Sequence, residues 1–159
     1  VDTGVVTQTG FIKKVSLHQT NQAGQIAYIG TVDSITQYSN GNNSFSNLAA
    51  TSFSQTGSPP WHLTAPDGQT FNNNTQVVLS GNVALYRDAA KNSRPLRIET
   101  ESVTIYPQQN YAVTTDPIRI FEPGTKNLTT AVGAEAYFKQ QKVTLLSQVN
   151  STYEPNIHP

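Results

Sequence analysis

The sequence predicts an all-β domain, an antiparallel sheet of repeated strand-turn-strand units folded over on itself. Three observations carry this. Apolar residues recur at every second position, the period of a strand with one buried face. Four segments align without gaps on the aromatics Tyr38, Phe71, Tyr106 and Tyr137, which stand 33, 35 and 31 residues apart. Finally, no segment has a helical apolar period, and the chain is rich in Asn, Gln, Ser and Thr, which suit strands and turns better than helices.

The units follow one another in order. Each begins with a strand. Tyr28, Trp61 and Leu96 stand ten residues before the aromatic, Gly30, Leu63 and Ile98 eight before, and Val32, Ala65, Thr100 and Ala131 six before. The apolar positions then change parity, to Ile35, Gly68, Val103 and Ala134 three before the aromatic. A parity change within a strand requires a bulge or a bend. After the aromatic come "SNGNN", "NNNT", "PQQN" and "FKQQK"; the first three are rich in turn formers. A second strand follows, with Ser44, Val77, Ala112 and Val143 six positions on, Ser46, Leu79, Thr114 and Leu145 eight on, and Ala50, Val83, Ile118 and Val149 twelve on. The links at 54–60, 87–95 and 122–127 are polar and carry Gly or Pro, as loops do.

One strand has a weak spot. "VVLSGNVALYRD", residues 77–88, keeps its parity from Val77 through Leu85 but carries Gly81 and Asn82 at its middle. Gly-Asn is a weaker hairpin signal than Asn-Gly. The reading is therefore one strand with a bulge, or a close approach, at Gly81.

Composition narrows the function. The chain has 159 residues, the size of one domain, with 13% charged residues and a formal net charge of zero. That argues against electrostatic binding to nucleic acid or to anionic membranes. Cysteine is absent, which removes disulfide and thiolate chemistry. No apolar run approaches the ~20 residues needed to span a bilayer. His18, His62 and His158 have no close histidine or acidic partner in sequence, so no metal site is expected. His62 follows Trp61 and should face the opposite side, toward solvent. Glu99 and Glu101 share one strand face; such a pair can serve glycoside hydrolysis but is more often solvated. Asp88 and Asp116 are expected in or near turns, capping amides. Four sequons, at Asn42, Asn73, Asn127 and Asn150, are expected from composition alone and receive no role. The basic groups are Lys13, Lys14, Arg87, Arg94, Arg97 and Arg119. No enzyme activity and no cofactor are expected.

Several stretches resemble the periplasmic domain of LptC, the lipopolysaccharide export family. They are "FIKKVSLHQTNQAGQIAYIGTVDSITQYSN", "GSPPWHLTAPDGQTFNNNTQVVLSGNVALYR", "LRIETESVTIYPQQNYAVTTDPIRI" and "KVTLLSQVNSTYEP". The Gly-Asn-Val of 81–83 also resembles LptA and the N-terminal domain of LptD, whereas "LRIET" with "TIYP" and the terminal "TYEP" resemble LptC. The resemblance implies an open, twisted antiparallel β-jellyroll over 11–155, a linker at 1–10 after a missing N-terminal membrane helix, and a tail at 156–159. It implies a periplasmic location, tethered to the inner membrane, and no catalytic activity. It also implies lipopolysaccharide accepted from an inner-membrane ABC transporter, with subunits LptF and LptG meeting the N-terminal edge, and passed to LptA.

On this reading the lipid-facing residues are Leu63, Val77, Leu79, Gly81, Val83, Leu85, Ile98, Val103, Ile105, Ile118, Ile120, Val143, Leu145 and Val149. The C-terminal strand "KVTLLSQVNSTY" is apolar on one face and carries only Lys142 as a charged guard. Its Val143, Leu145, Val149 and Tyr153 are expected to form an edge that accepts a strand from LptA, or pairs with itself in a homodimer. Competing readings are a soluble LptA-like bridge and a structural or adhesive β-domain with a filled core and no lipid.

Overall fold

The computed structural model describes residues 6–20, 22, 24, 26–53, 59–137, 140 and 142–153. They form nine strands: β1 (Gln8–Thr20), β2 (Ile26–Tyr38), β3 (Asn43–Ser52), β4 (Trp61–Phe71), β5 (Gln76–Arg87), β6 (Leu96–Tyr106), β7 (Tyr111–Phe121), β8 (Leu128–Tyr137) and β9 (Lys142–Thr152). A single 3-10 turn, Pro107–Gln109, joins β6 to β7. All nine strands lie in one sheet in chain order, each antiparallel to the next. Both terminal strands, β1 and β9, therefore present an unpaired edge among the described residues.

The four repeated aromatics are the last residues of β2, β4, β6 and β8. Each repeat unit is thus a hairpin. Left-handed Asn and Gly residues make the turns, as at Gly41 and at Asn72, Asn73 and Asn74. β1 is a strand that the repeat does not contain, and it starts at Gln8, inside the segment expected to be a linker. The stretches 1–5, 54–58 and 156–159 of the expected linker, link and tail, and part of "FKQQK", lie outside the described residues.

The parity change has a physical origin. Pairing slips between Thr64 and Asp67, Ser80 and Val83, Thr100 and Thr104, Thr114 and Pro117, and Thr130 and Val132. Residues with positive φ lie along the same line: Lys14, Asn47, Gly81, Asn82, Gly133 and Gln148. Together they make a crease across the middle of the sheet. Two apolar clusters show which way it folds. Phe45, Val77, Leu79, Val103 and Ile105, on the turn side of the crease, pack with Leu48, Leu63, Ala65 and Val83 on the link side. Ala134 and Leu145 pack likewise with Ile98, Ile118, Ile120 and Ala131. The sheet is bent into a trough with the crease as its floor.

At Gly81 and Asn82 the chain does not turn. Both residues are left-handed, at φ 85° and 77°, and β5 continues past them as a bulged strand. A side chain at Gly81 would meet the Asp67 carboxylate at 3.2 Å and the Pro66 ring at 3.4 Å, both exposed residues of the neighbouring strand. Gly81 is therefore a crease residue, not part of the apolar wall in which it was expected. Gly81→Ala is expected to cost about 1–2 kcal/mol, the left-handed penalty, and Gly81→Asn less, because Asn tolerates that conformation. Urea unfolding checks this; equal losses would make crowding against Asp67 the cause.

Candidate functional site

The trough wall is built from rows that run strand to strand. One row is Leu17, Gly30, Ala50, Leu63, Leu85, Ile98, Ile120 and Thr129, partner to partner from β1 to β8. Facing it across the crease is the row Ile35, Phe45, Gly68, Leu79 and Val103. Nearer the turns lie Val77, Ile105, Ala112, Ala136 and Val143. Register fixes these rows, because a slip of one residue would turn each strand's apolar set outward. Leu79 is fully buried, and Ala65, Val83, Ile118 and Ala131 nearly so. The Phe45 ring lies over Gly68 and occupies the space of a side chain there.

The residues expected to face lipid fall into three groups. Leu63, Val77, Leu79, Val83, Val103 and Ile105 share the first cluster, Ile98, Ile118, Ile120 and Leu145 the second, and Leu85 joins the two through Leu63 and Ile98. Gly81 stands at the crease. Val143 continues the wall row from Ala136, but at the open edge it and Val149 are 49% and 51% exposed, and Tyr153 is 75% exposed. They lie on or just beyond β9, and no further strand covers it. The other edge is alike: Phe11, Ile12 and Leu17 of β1 are exposed.

In the first unit the column assignment is corrected. Ser44 and Ser46 were aligned with inward residues, but the Ser46 hydroxyl bonds that of Ser34 at 2.8 Å beside the polar Asp67 and Ser80, and Phe45 and Leu48 face in. β3 has one left-handed residue, Asn47, where β5 has two, so it runs out of step with the other return strands. Sequence reading also missed β1, whose alternation is broken by Lys13 and Lys14 at the crease.

The outside of the crease is polar. Asn47 donates to Asp33 at 2.7 Å, and the Ser102 hydroxyl donates to Asp116. Asp116 is thus a strand residue at a bulge, not a turn cap. Glu99 accepts from Arg97 at 2.9 Å and from Arg119 at 3.3 Å, which ties the carboxylate down rather than leaving it free to act on a substrate. His62 has an acidic neighbour after all: Nε2 lies 3.6 Å from Asp88, while Nδ1 and the Thr51 hydroxyl are 2.9 Å apart. It is part-exposed on the outer face, as its place next to Trp61 predicts. Among the described residues no group of three potential ligands gathers for a metal.

The two lips differ. Along the link lip cations lie on aromatic rings: Arg87 over Trp61 at 5.0 Å, Arg97 over Tyr86 at 5.2 Å and Arg119 over Phe121 at 5.1 Å. Along the turn lip Tyr106 stacks on Tyr111 at 5.9 Å, and Tyr137 meets Tyr111 at 5.2 Å with the rings tilted by 45°. Tyr111 and Tyr137 both donate to Glu135, at 3.1 and 3.0 Å. Burial first, then this hydrogen bond, raises the Tyr111 pKa above 10.0. For Tyr137 the hydrogen bond comes first and burial second. A raised phenol pKa means that the lip contact is whole below about pH 10 and is lost as pH climbs through the raised values. A phenolate absorbance titration should show Tyr111 and Tyr137 ionising late. Glu135→Gln should bring both back toward the ordinary range, and an unchanged titration would separate the shifts from Glu135.

Such a wall can hold alkyl chains. Each methylene moved from water onto it is worth about 0.8 kcal/mol, so one long chain gains on the order of 10 kcal/mol.

A family model described as "Lipopolysaccharide-assembly, LptC-related" matches residues 7–154. The fold is similar to the crystal structure of LptH, the LptA homologous periplasmic component of the lipopolysaccharide transport device from Pseudomonas aeruginosa. That match has a TM-score of 0.52 at 11% identity and covers 95% of this chain and 96% of that one. No curated protein matches the sequence.

Proposed function

Because the chain belongs to the LptC-related family of lipopolysaccharide-assembly proteins, we propose that it carries lipopolysaccharide through the periplasm in the trough of its folded sheet. The lipid enters at the β1 edge, from the LptF and LptG subunits of the inner-membrane transporter, and leaves at the β9 edge to LptA. The observation that carries this reading is the apolar row running from β1 to β7 in a sheet whose two edges are both unpaired among the described residues. A filled, self-contained β-domain has no use for such ends, and each exposed edge is a template for another strand. The domain acts as a carrier, not a catalyst. Its tether is an N-terminal helix of the kind the family resemblance implies; among the described residues no helix is long and apolar enough to cross a membrane.

Crosslinking tests the trough. A photoreactive residue at Ile98, inside, should label lipopolysaccharide, and one at Thr115, exposed on the outer face, should not. Equal labelling at both positions, or none at either, would count against the carrier.

A further inference from the structure

At the link lip the apolar wall ends on Arg87. Its terminal nitrogen donates to the Arg94 carbonyl at 3.1 Å, and its guanidinium lies 5.0 Å from the Trp61 ring centre. Its Nε is buried and has no hydrogen-bond partner, and it is the only buried side-chain polar atom in that condition among the described residues. A buried donor without an acceptor is rare in native proteins, and each case calls for a cause. Beside Arg87 opens a hollow of about 210 Å³, walled by Leu96, Ile120, Phe121 and Leu128 with Arg94 and Glu122 at its rim. Glu122 is already engaged, accepting from Asn127 at 2.9 Å and lying 3.7 Å from Arg94. Two guanidiniums against one carboxylate leave the hollow with a net positive charge.

We infer that Arg87, with Arg94, forms an anion subsite at the lip of the trough that takes the phosphate of a phosphorylated amphiphile. The inference rests on the carrier reading above and adds the place where the head group sits. The chains lie on Leu96 and Ile120, and the phosphate stands at the rim, where it meets water on one side and the guanidinium on the other. The planar guanidinium fork suits a phosphate better than an ammonium does. The guanidinium is already held against Trp61 and on the Arg94 carbonyl, so little side-chain freedom is lost when the anion arrives.

The test compares three probes on the full chain: lipopolysaccharide with its phosphates, the same lipid dephosphorylated, and inorganic phosphate alone. Arg87→Gln should weaken binding of the phosphorylated lipid about tenfold or more and leave the dephosphorylated lipid unchanged. Arg87→Lys should recover only part of the loss. Thermal unfolding of each variant guards against loss of the Trp61 contact. Equal weakening of both lipids would make Arg87 a packing residue and overturn the inference. If the wild type binds neither lipid, the carrier reading fails by itself, and the Arg87 Nε–H resonance then decides. Its movement by inorganic phosphate would keep an anion site but reassign it to a free anion, and no movement would remove the site.

Discussion

Leu79→Ala is expected to lower the unfolding free energy by about 2–5 kcal/mol, the cost of a cavity at a well-packed site. Among the described residues Leu79 is the largest side chain wholly removed from solvent. It packs in one cluster with Ala65 and Val83 from across the crease and with Val77, Val103 and Ile105 from its own side. Small neighbours such as Ala65 leave nothing that can swing in to fill the gap. Leu79→Asp should prevent folding outright, since a lone carboxylate there has no partner. Val143→Ala is the contrast. Its side chain is 49% exposed, so the loss should be within about 0.5 kcal/mol, the range of surface changes. Urea unfolding of Leu79→Ala and Val143→Ala measures the difference, and circular dichroism of Leu79→Asp checks the loss of fold. A Leu79→Ala loss below about 1 kcal/mol would mean that the halves are not closed around that residue.

Proline in β9 should abolish docking of LptA at that edge while side-chain truncations there change it little. Backbone hydrogen bonds carry strand addition, and proline removes a donor and obstructs pairing. β9 pairs with β8 on one side only. Alternate amides therefore face β8 and the open edge. Proline scanned through Val143, Thr144, Leu145 and Leu146 should split into two sets. One set loses thermal stability because it breaks the β8 pairing. The other stays folded and loses association, read by pull-down or calorimetry against LptA. If every folded proline variant, Val149→Pro included, binds LptA as the wild type does, β9 is not the docking edge. Self-association that disappears with the same variants would assign the edge to a homodimer.

The strand-turn-strand units were legible because apolar residues alternate along most of the strands before and after Phe71, Tyr106 and Tyr137. The parity change before Tyr38, Phe71, Tyr106 and Tyr137 located the crease from sequence alone. The first unit misled, because Asn47 supplies one left-handed residue where Gly81 and Asn82 supply two, and a single residue of bulge reverses which side chains face in. β1 was obscured because Lys13 and Lys14 fall at the crease and break the alternation there. The Arg87 hollow was not legible at all. It is assembled from residues of β5, β6, β7 and β8 and their links, far apart in sequence, and only register brings them together.

The unbroken chain-order pairing of the strands has an evolutionary and kinetic consequence. Each strand pairs only with its predecessor and successor, so duplicating one hairpin inserts two strands without rethreading anything. The conduit lengthens by roughly 10 Å, twice the spacing between paired strands, and both end surfaces are preserved. Loop closures stay short for the same reason, so the chain can zip from any formed hairpin into the next at little entropic cost. Length thus becomes a variable that evolution can set by counting repeats.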